Sequence, residues 1–197
     1  MRQTLLLTVL LLASSLGASC ASTAVQTFAN PAEATKAMVV AAEAGDQEEA
    51  RRIFNSFARS SVKRDKVYAS LFNAAETRYE RGDGAGAARI LELVTQEYPA
   101  AVAAREALVY ALFVDRAGSE EPSESQIEAM ELAIDAAREA SPQPSVWVGL
   151  AATQVAIDRD NTTAARAEFD GFLQAWEGEP ASLMPYVEDL DRYLQTH

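Results

Sequence analysis

Acid–base or nucleophilic chemistry needs side chains that titrate or attack, and this chain is short of them. Its single histidine is His197 and its single cysteine is Cys20, so Ser-His and Cys-His sites have no base. Zinc sites built on His and Cys have no ligand set. Carboxylates remain, because paired Asp and Glu can run acid–base chemistry unaided. The pairs Glu48/Glu49, Glu120/Glu121 and Asp189/Asp191 fall on solvent faces of expected helices or in a loop, where nothing shifts their pKa values. They read as solvated charge. Asp158-Arg159-Asp160-Asn161 offers oxygen ligands but lacks the central Gly and distal Glu of a calcium loop, and reads better as a capped turn. No glycine-rich phosphate loop follows a strand, because nothing in the sequence reads as strand. The expectation is therefore no catalytic residue, no metal and no cofactor: a protein that is not an enzyme.

The residues whose spacing does suggest a function are aromatic. Tyr68, Phe72, Glu76 and Tyr79 recur at helical intervals beside the apolar stripe Val67, Leu71, Ala74 and Ala75. Glu106, Tyr110 and Phe113 do the same beside Leu108, Val109 and Leu112. Rings edged with carboxylates suit an apolar peptide with basic flanks. The competing use is packing of helix on helix, the commoner fate of aromatics at this spacing.

Both sets must be carried by helices, and the chain punctuates those helices clearly. Asn30-Pro31-Ala32-Glu33 is a start signal, with Asn as cap, Pro at the first helical position and Glu three residues after the cap. Gly45 stops that helix; Asp46 caps the next, with Glu49 as its box partner. Ala50, Ile53, Phe54 and Phe57 then form one stripe. The pattern returns at Gly82 and Asp83, followed by Ala87, Ile90, Leu91 and Val94 at the same offsets, up to Tyr98-Pro99. A third pair begins near Val102, carries an enlarged loop from Ala117 to Glu124, and restarts with Ser125 and Glu128 as a capping box before Ile127, Met130, Ile134 and Ala137.

Ser141-Pro142-Gln143-Pro144 leads into a fourth pair, with Trp147, Leu150, Ala151 and Val155 on its first helix and Ala165, Phe169, Phe172, Leu173 and Trp176 on its second. Leu183, Tyr186, Val187, Leu190, Tyr193 and Leu194 form a final single-faced helix over about residues 182–195. A helical stack needs such an element to end in water.

Helix pairs at a period of about 34 residues, with Gly-Asp at the turn and a small residue opening the second helix, resemble the tetratricopeptide repeat (TPR). Gly45-Asp46 to Ala50 and Gly82-Asp83 to Ala87 carry the turn and the small position; Ala87, Leu91 and Pro99 follow the family's spacing, and Trp147 with Ala151 resembles its opening in the fourth unit. The fourth unit departs by replacing Gly-Asp with Asp158-Arg159-Asp160-Asn161. The resemblance implies an all-α, right-handed α-solenoid of about four TPR-like hairpins plus a C-terminal capping helix, over residues 30–197. It also implies that the first helix of each pair lines a concave groove that accepts a peptide. Tyr68, Phe72, Glu76, Tyr79, Glu106, Tyr110 and Phe113 are then the candidate partner-binding residues. The Lys/Asn/Arg set that clamps an acidic chain end in some such proteins is absent; only Lys36 and Asn73 fall near those positions.

Charge narrows the partner. With 29 Asp+Glu against 17 Lys+Arg and a formal net charge of -12, the chain repels phosphate backbones and anionic lipid. Nucleic acid is excluded, and neutral or basic protein surfaces remain. The amino terminus adds an address. Arg2, the apolar run Leu5 to Leu12 and the small residues Ala13 to Ser19 describe an export signal, too short to span a bilayer, which takes about 20 apolar residues.

Leu16-Gly17-Ala18-Ser19-Cys20 resembles the bacterial lipobox, with Gly17 where that pattern prefers Leu. The resemblance implies a signal peptide over residues 1–19, lipidation at Cys20, a tether over 20–29 and, from Ala21, an outer-membrane lipoprotein facing the periplasm. The alternative is an ordinary cut after Ala21 or Ala24 that leaves a soluble periplasmic or secreted protein. The expected function is that of an exported, lipid-anchored scaffold or adaptor that binds an envelope protein or peptide, with membrane contact through the lipid only. Its rival is a periplasmic chaperone or carrier holding an apolar ligand or an unfolded client.

Overall fold

A computed structural model of the chain describes residues 28–58, 61–178 and 181–196. The expected signal peptide, Cys20 and most of the tether lie outside the described residues. The protein is all-α: α1 (Pro31–Glu43), α2 (Gln47–Phe57), α3 (Ser61–Tyr79), α4 (Gly84–Glu97), α5 (Val102–Ala117), α6 (Glu124–Ala140), α7 (Val146–Asp158), α8 (Thr162–Ala175) and α9 (Met184–Thr196), the last entered through a 3-10 turn at Ala181–Leu183. No strand occurs among the described residues, and none of their helices is long and apolar enough to cross a membrane.

Three turns of one construction connect these helices. At the end of α1, Gly45 adopts φ +79°, its N–H donates to the Ala42 carbonyl at 2.9 Å and Asp46 N–H donates to Ala41 at 2.9 Å. This is a Schellman stop, which satisfies carbonyls that the helix leaves open. Asp46 then caps α2 by accepting from Glu49 N–H at 3.0 Å. After α3 the device repeats: Gly82 at φ +81°, bonds to Tyr79 and Arg78 at 3.0 Å each, and Asp83 accepting from Gly86 N–H at 2.9 Å.

After α7 it repeats without glycine. Asp160 takes φ +53°, Asp160 and Asn161 donate to Ile157 and Ala156 at 2.9 and 2.8 Å, and Asn161 caps α8 through Ala164 N–H at 3.1 Å. An L residue in this region costs roughly 1–2 kcal/mol, which the extra chain entropy of glycine only partly offsets. Asp160→Gly should therefore raise stability by about 0.5 kcal/mol; a lower urea midpoint than wild type would show that Asp160 has some other task.

The third connection differs. Gly118 keeps φ at -79°, and α6 starts two residues before the expected box. Ser123 is its cap, accepting from Gln126 N–H at 3.3 Å while Gln126 Oε1 accepts from Ser123 N–H at 2.9 Å. Gln126 also donates to Asp115 on α5 at 2.8 Å, a long-range bond that fixes where α6 begins. The expected partner of Asp46 is diverted as well, since the Glu49 carboxylate binds Arg52 through two contacts of 2.6 Å. In α1 the Asn30 cap and Pro31 behave as read, with Asn30 accepting from Glu33 N–H at 3.0 Å.

Consecutive helices pack as α1/α2 and then without a break from α3/α4 through α4/α5, α5/α6 and α6/α7 to α7/α8, and the odd-numbered helices also pack in series, α1 on α3, α3 on α5 and α5 on α7. The core falls into two clusters. Met38, Phe54, Leu71 and Leu91 belong to the first and Met130, Leu150, Phe169 and Phe172 to the second, and Leu108 and Leu112 of α5 touch both. Ala50, Ala87 and Ala165, the small residues near the start of α2, α4 and α8, are all fully buried. Leu173 departs from its expected place and is 39% exposed. The stacked rings of Phe169, Phe172 and Trp176 fill the core side of α8, and Leu173, one residue after Phe172, is turned about 100° away.

Candidate functional site

The serial packing of α3, α5 and α7 brings one ring from each helix into contact. Tyr79 meets Tyr110 edge-on with centroids 5.0 Å apart, and Tyr110 meets Trp147 at 4.5 Å and 56°. These tilted arrangements place the positive edge of one ring on the negative face of the next. All three residues are half-buried, so each keeps part of its surface open to solvent. Glu76 lies one turn before Tyr79 and accepts its hydroxyl at 3.4 Å. Burial first, then the Glu76 charge, pushes the Tyr79 hydroxyl up to about 12, which keeps it a protonated donor. Glu106 accepts from the backbone N–H of Ser145 at 2.9 Å. Its carboxylate therefore sits at the positive N-terminus of α7, where negative charge is favoured.

The other expected site residues go elsewhere. Tyr68 and Phe72 stack at 5.7 Å, and Tyr68 continues edge-on into Tyr98 at 5.0 Å and on to Phe54 at 5.6 Å from Tyr98. Arg64 lies over the Phe54 and Tyr98 rings at 4.9 and 5.3 Å, and it receives the Tyr98 hydroxyl on its carbonyl at 2.5 Å. That cluster ties the start of α3 to the end of α4. Phe113 is buried, edge-on to Tyr186 of α9 at 5.8 Å, and so it presents little surface to a partner. The face that stays available is Glu76, Tyr79, Glu106 and Tyr110, joined by Trp147, which the sequence placed on the first helix of the fourth pair and not among the candidate binding residues. No spacing rule marks Trp147 as a site residue, because its place depends on where the 141–145 connection sets α7 down.

The arginines Arg78 on α3 and Arg105 and Arg116 on α5 are already engaged. Arg78 binds Asp83 at 2.5 Å and also Glu43. Arg105 donates to the Pro99 carbonyl at 3.0 and 3.2 Å. Arg116 grips Asp158 with two bonds of 2.6 and 2.7 Å, and that carboxylate accepts from Gln154, whose amide oxygen receives the Tyr186 hydroxyl at 2.7 Å. The Asp158 and Asn161 oxygens of the acidic turn are thus committed to an ion pair and a cap. Among the described residues no group of His, Cys, Asp and Glu is placed to hold a metal. Compared with protein-family models, curated proteins and solved structures, the chain finds no match in any of the three.

Proposed function

We propose that this chain is a binding protein, a TPR-like right-handed α-solenoid of about four hairpins closed by α9, whose α3/α5/α7 face docks a neutral or basic protein or peptide. One observation carries the reading: a contiguous, half-buried run of three rings, Tyr79, Tyr110 and Trp147, flanked by Glu76 and Glu106. Aromatic anchors ringed by polar groups are the usual centre of a protein interface. The carboxylates select a partner that brings lysine or arginine, whose cation is also attracted to ring faces. The same reading makes the protein exported and tethered through a lipid on Cys20, acting as a scaffold or adaptor and not as an enzyme.

Tyr110→Ala tests it. Recovery of a stoichiometric partner by cross-linked purification from the native envelope should fall by about thirtyfold per folded molecule, the equivalent of about 2 kcal/mol for a central anchor. The melting temperature should move little. A collapse of stability with unchanged binding per folded molecule would reduce the rings to helix packing, and recovery of many unfolded clients would favour the chaperone. Metabolic lipid labelling of the same preparation should mark wild type and spare Cys20→Ser; no label on wild type removes the anchor.

A further inference from the structure

The first helix pair carries an apolar hollow of about 700 Å³ between α1 and α2. Ala37, Ala41 and Ile53 line it, and so does Val40, which is 58% exposed in the middle of α1 while Ala41 and Ile53 are buried. The hollow runs along α1, from Phe28 and Glu33 at the start of the helix to Ala44 and Asp46 past its end. At the other end of the chain α9 covers such a surface by burying Val187, Leu190 and Leu194. No described helix precedes α1, so the corresponding cover here must come from something else.

The path of the chain identifies the occupant. Phe28 is the one lining residue outside α1, α2 and their turn. It meets Phe57 at the end of α2 edge-on, with centroids 6.4 Å apart, so the chain stands at the mouth of the hollow just before it enters α1. Residues 20–27, which precede Phe28 and lie outside the described residues, carry no charge and one large apolar side chain, Val25. The rim suits such a segment. A basic occupant meets Lys36 and an acidic one meets Glu33, Asp46 and Glu49, and those carboxylates are already used. Glu33 accepts from Ala29 N–H at 3.2 Å, Asp46 from Glu49 N–H at 3.0 Å, and Glu49 holds Arg52. Length agrees as well. The 13 residues of α1 rise about 20 Å, and eight extended residues reach about 26 Å. Val25, three residues before Phe28, falls about 10 Å along, the rise of about seven helical residues. Counted from Glu33, that leads to Val40.

We propose that residues 20–27 are the occupant: an extended strap that runs back along α1 in this groove, with Val25 beside Val40. The strap is continuous with Phe28, so its local concentration is in the millimolar range or above, and a second copy or a foreign peptide has to displace it. It carries Cys20 to the side of the α1–α2 turn. The strap does not depend on lipidation. Where Cys20 bears the lipid proposed above, the strap holds that turn at the bilayer, and release of the strap lets the domain swing out on a tether of about 26 Å.

The test uses the chain from residue 20 onward with Cys20→Ser, free of lipid, so that its outcome is separate from that of the anchor. Val25→Cys is paired with Val40→Cys in the groove or with Asn55→Cys, an exposed position of α2 that does not line it. The groove pair should close an intramolecular disulfide at least about tenfold faster than the control pair. Equal rates overturn the strap, and so do disulfides that form only between molecules, which would assign the groove to a second copy. A spin label on Thr23→Cys reads the same contact without trapping it. Its spectrum should show slow motion with Val40 in place and fast motion with Val40→Asp, a change at an exposed position that leaves the helical signal intact. A label equally fast, or equally slow, in both proteins overturns the proposal.

Discussion

Gly84→Ala should destabilise the protein by about 3 kcal/mol, the upper end of the range for overpacking. The added methyl has nowhere to go. A Cβ built on Gly84 lands 2.5 Å from the Ala111 carbonyl oxygen, 2.8 Å from Asp115 Cα and on top of Asp115 N. All three are backbone atoms of α5, so no rotamer change relieves the contact and α4 must move off α5 as a body. That contact joins the second and third helix pairs, and the loss is a large share of the roughly 5–15 kcal/mol that holds a typical domain together. A fall in urea midpoint with an unchanged slope, together with faster amide exchange along α4 and α5, is the expected result. A midpoint equal to wild type would mean that α4 and α5 are less closely set than 2.5 Å from Cβ to carbonyl implies. Gly171→Ala, the same chemical change in α8, should have the opposite sign, since open space surrounds that position.

The contrast between these two glycines shows what the sequence can reveal. Stops and caps are local: Gly45-Asp46 and Gly82-Asp83 announce their turns through backbone needs that no distant residue alters. Even Asp160-Asn161, which breaks the glycine pattern, adopts the same turn because Asp and Asn tolerate φ > 0. Helical stripes are legible for the same reason, and Ala50 and Ala87 are buried as their offsets require. Gly84 carries no such local signal, because its contact with Asp115 is made by a helix that follows later in the chain.

The candidate site divides along the same line. Helical spacing places Glu76 with Tyr79 and Glu106 with Tyr110, and the side-by-side setting of α3 and α5 joins them. Spacing could not say that Trp147 would complete the run, that Tyr98 would capture Tyr68, or that Tyr186 would cover Phe113. Each of those depends on the relative setting of two helices, which is decided by many packed side chains at once.

The polar link between α5, α7 and α9 leads to the second large effect. Arg116 and Asp158 are bonded through two short contacts and are largely withdrawn from solvent, with side chains 16% and 4% exposed. Gln154 donates to Asp158 at 3.0 Å and receives Tyr186, whose hydroxyl is pushed up to about 12 by burial. Arg116→Met removes the cation and keeps much of the apolar stem, so what it measures is mainly a carboxylate left alone at 4% exposure. Removing one partner of a buried pair costs about 3–5 kcal/mol; the partial exposure of Arg116 argues for the lower end, about 3 kcal/mol.

The double variant Arg116→Met/Asp158→Leu removes both charges. It should recover most of that loss, because apolar residues of similar volume often replace a buried pair without penalty. Exchange protection in α9 should drop in the single variant, as Tyr186 then hangs on a Gln154 whose anchor, Asp158, is no longer held by Arg116. A single variant within 1 kcal/mol of wild type, or a double variant no more stable than the single, would mean that the helices are held by Val187, Leu190 and Leu194 alone. If the double variant is stable but its α9 exchanges freely, the network's contribution is positional: it fixes where α9 sits on α5 and α7, and therefore how much of Phe113 stays covered.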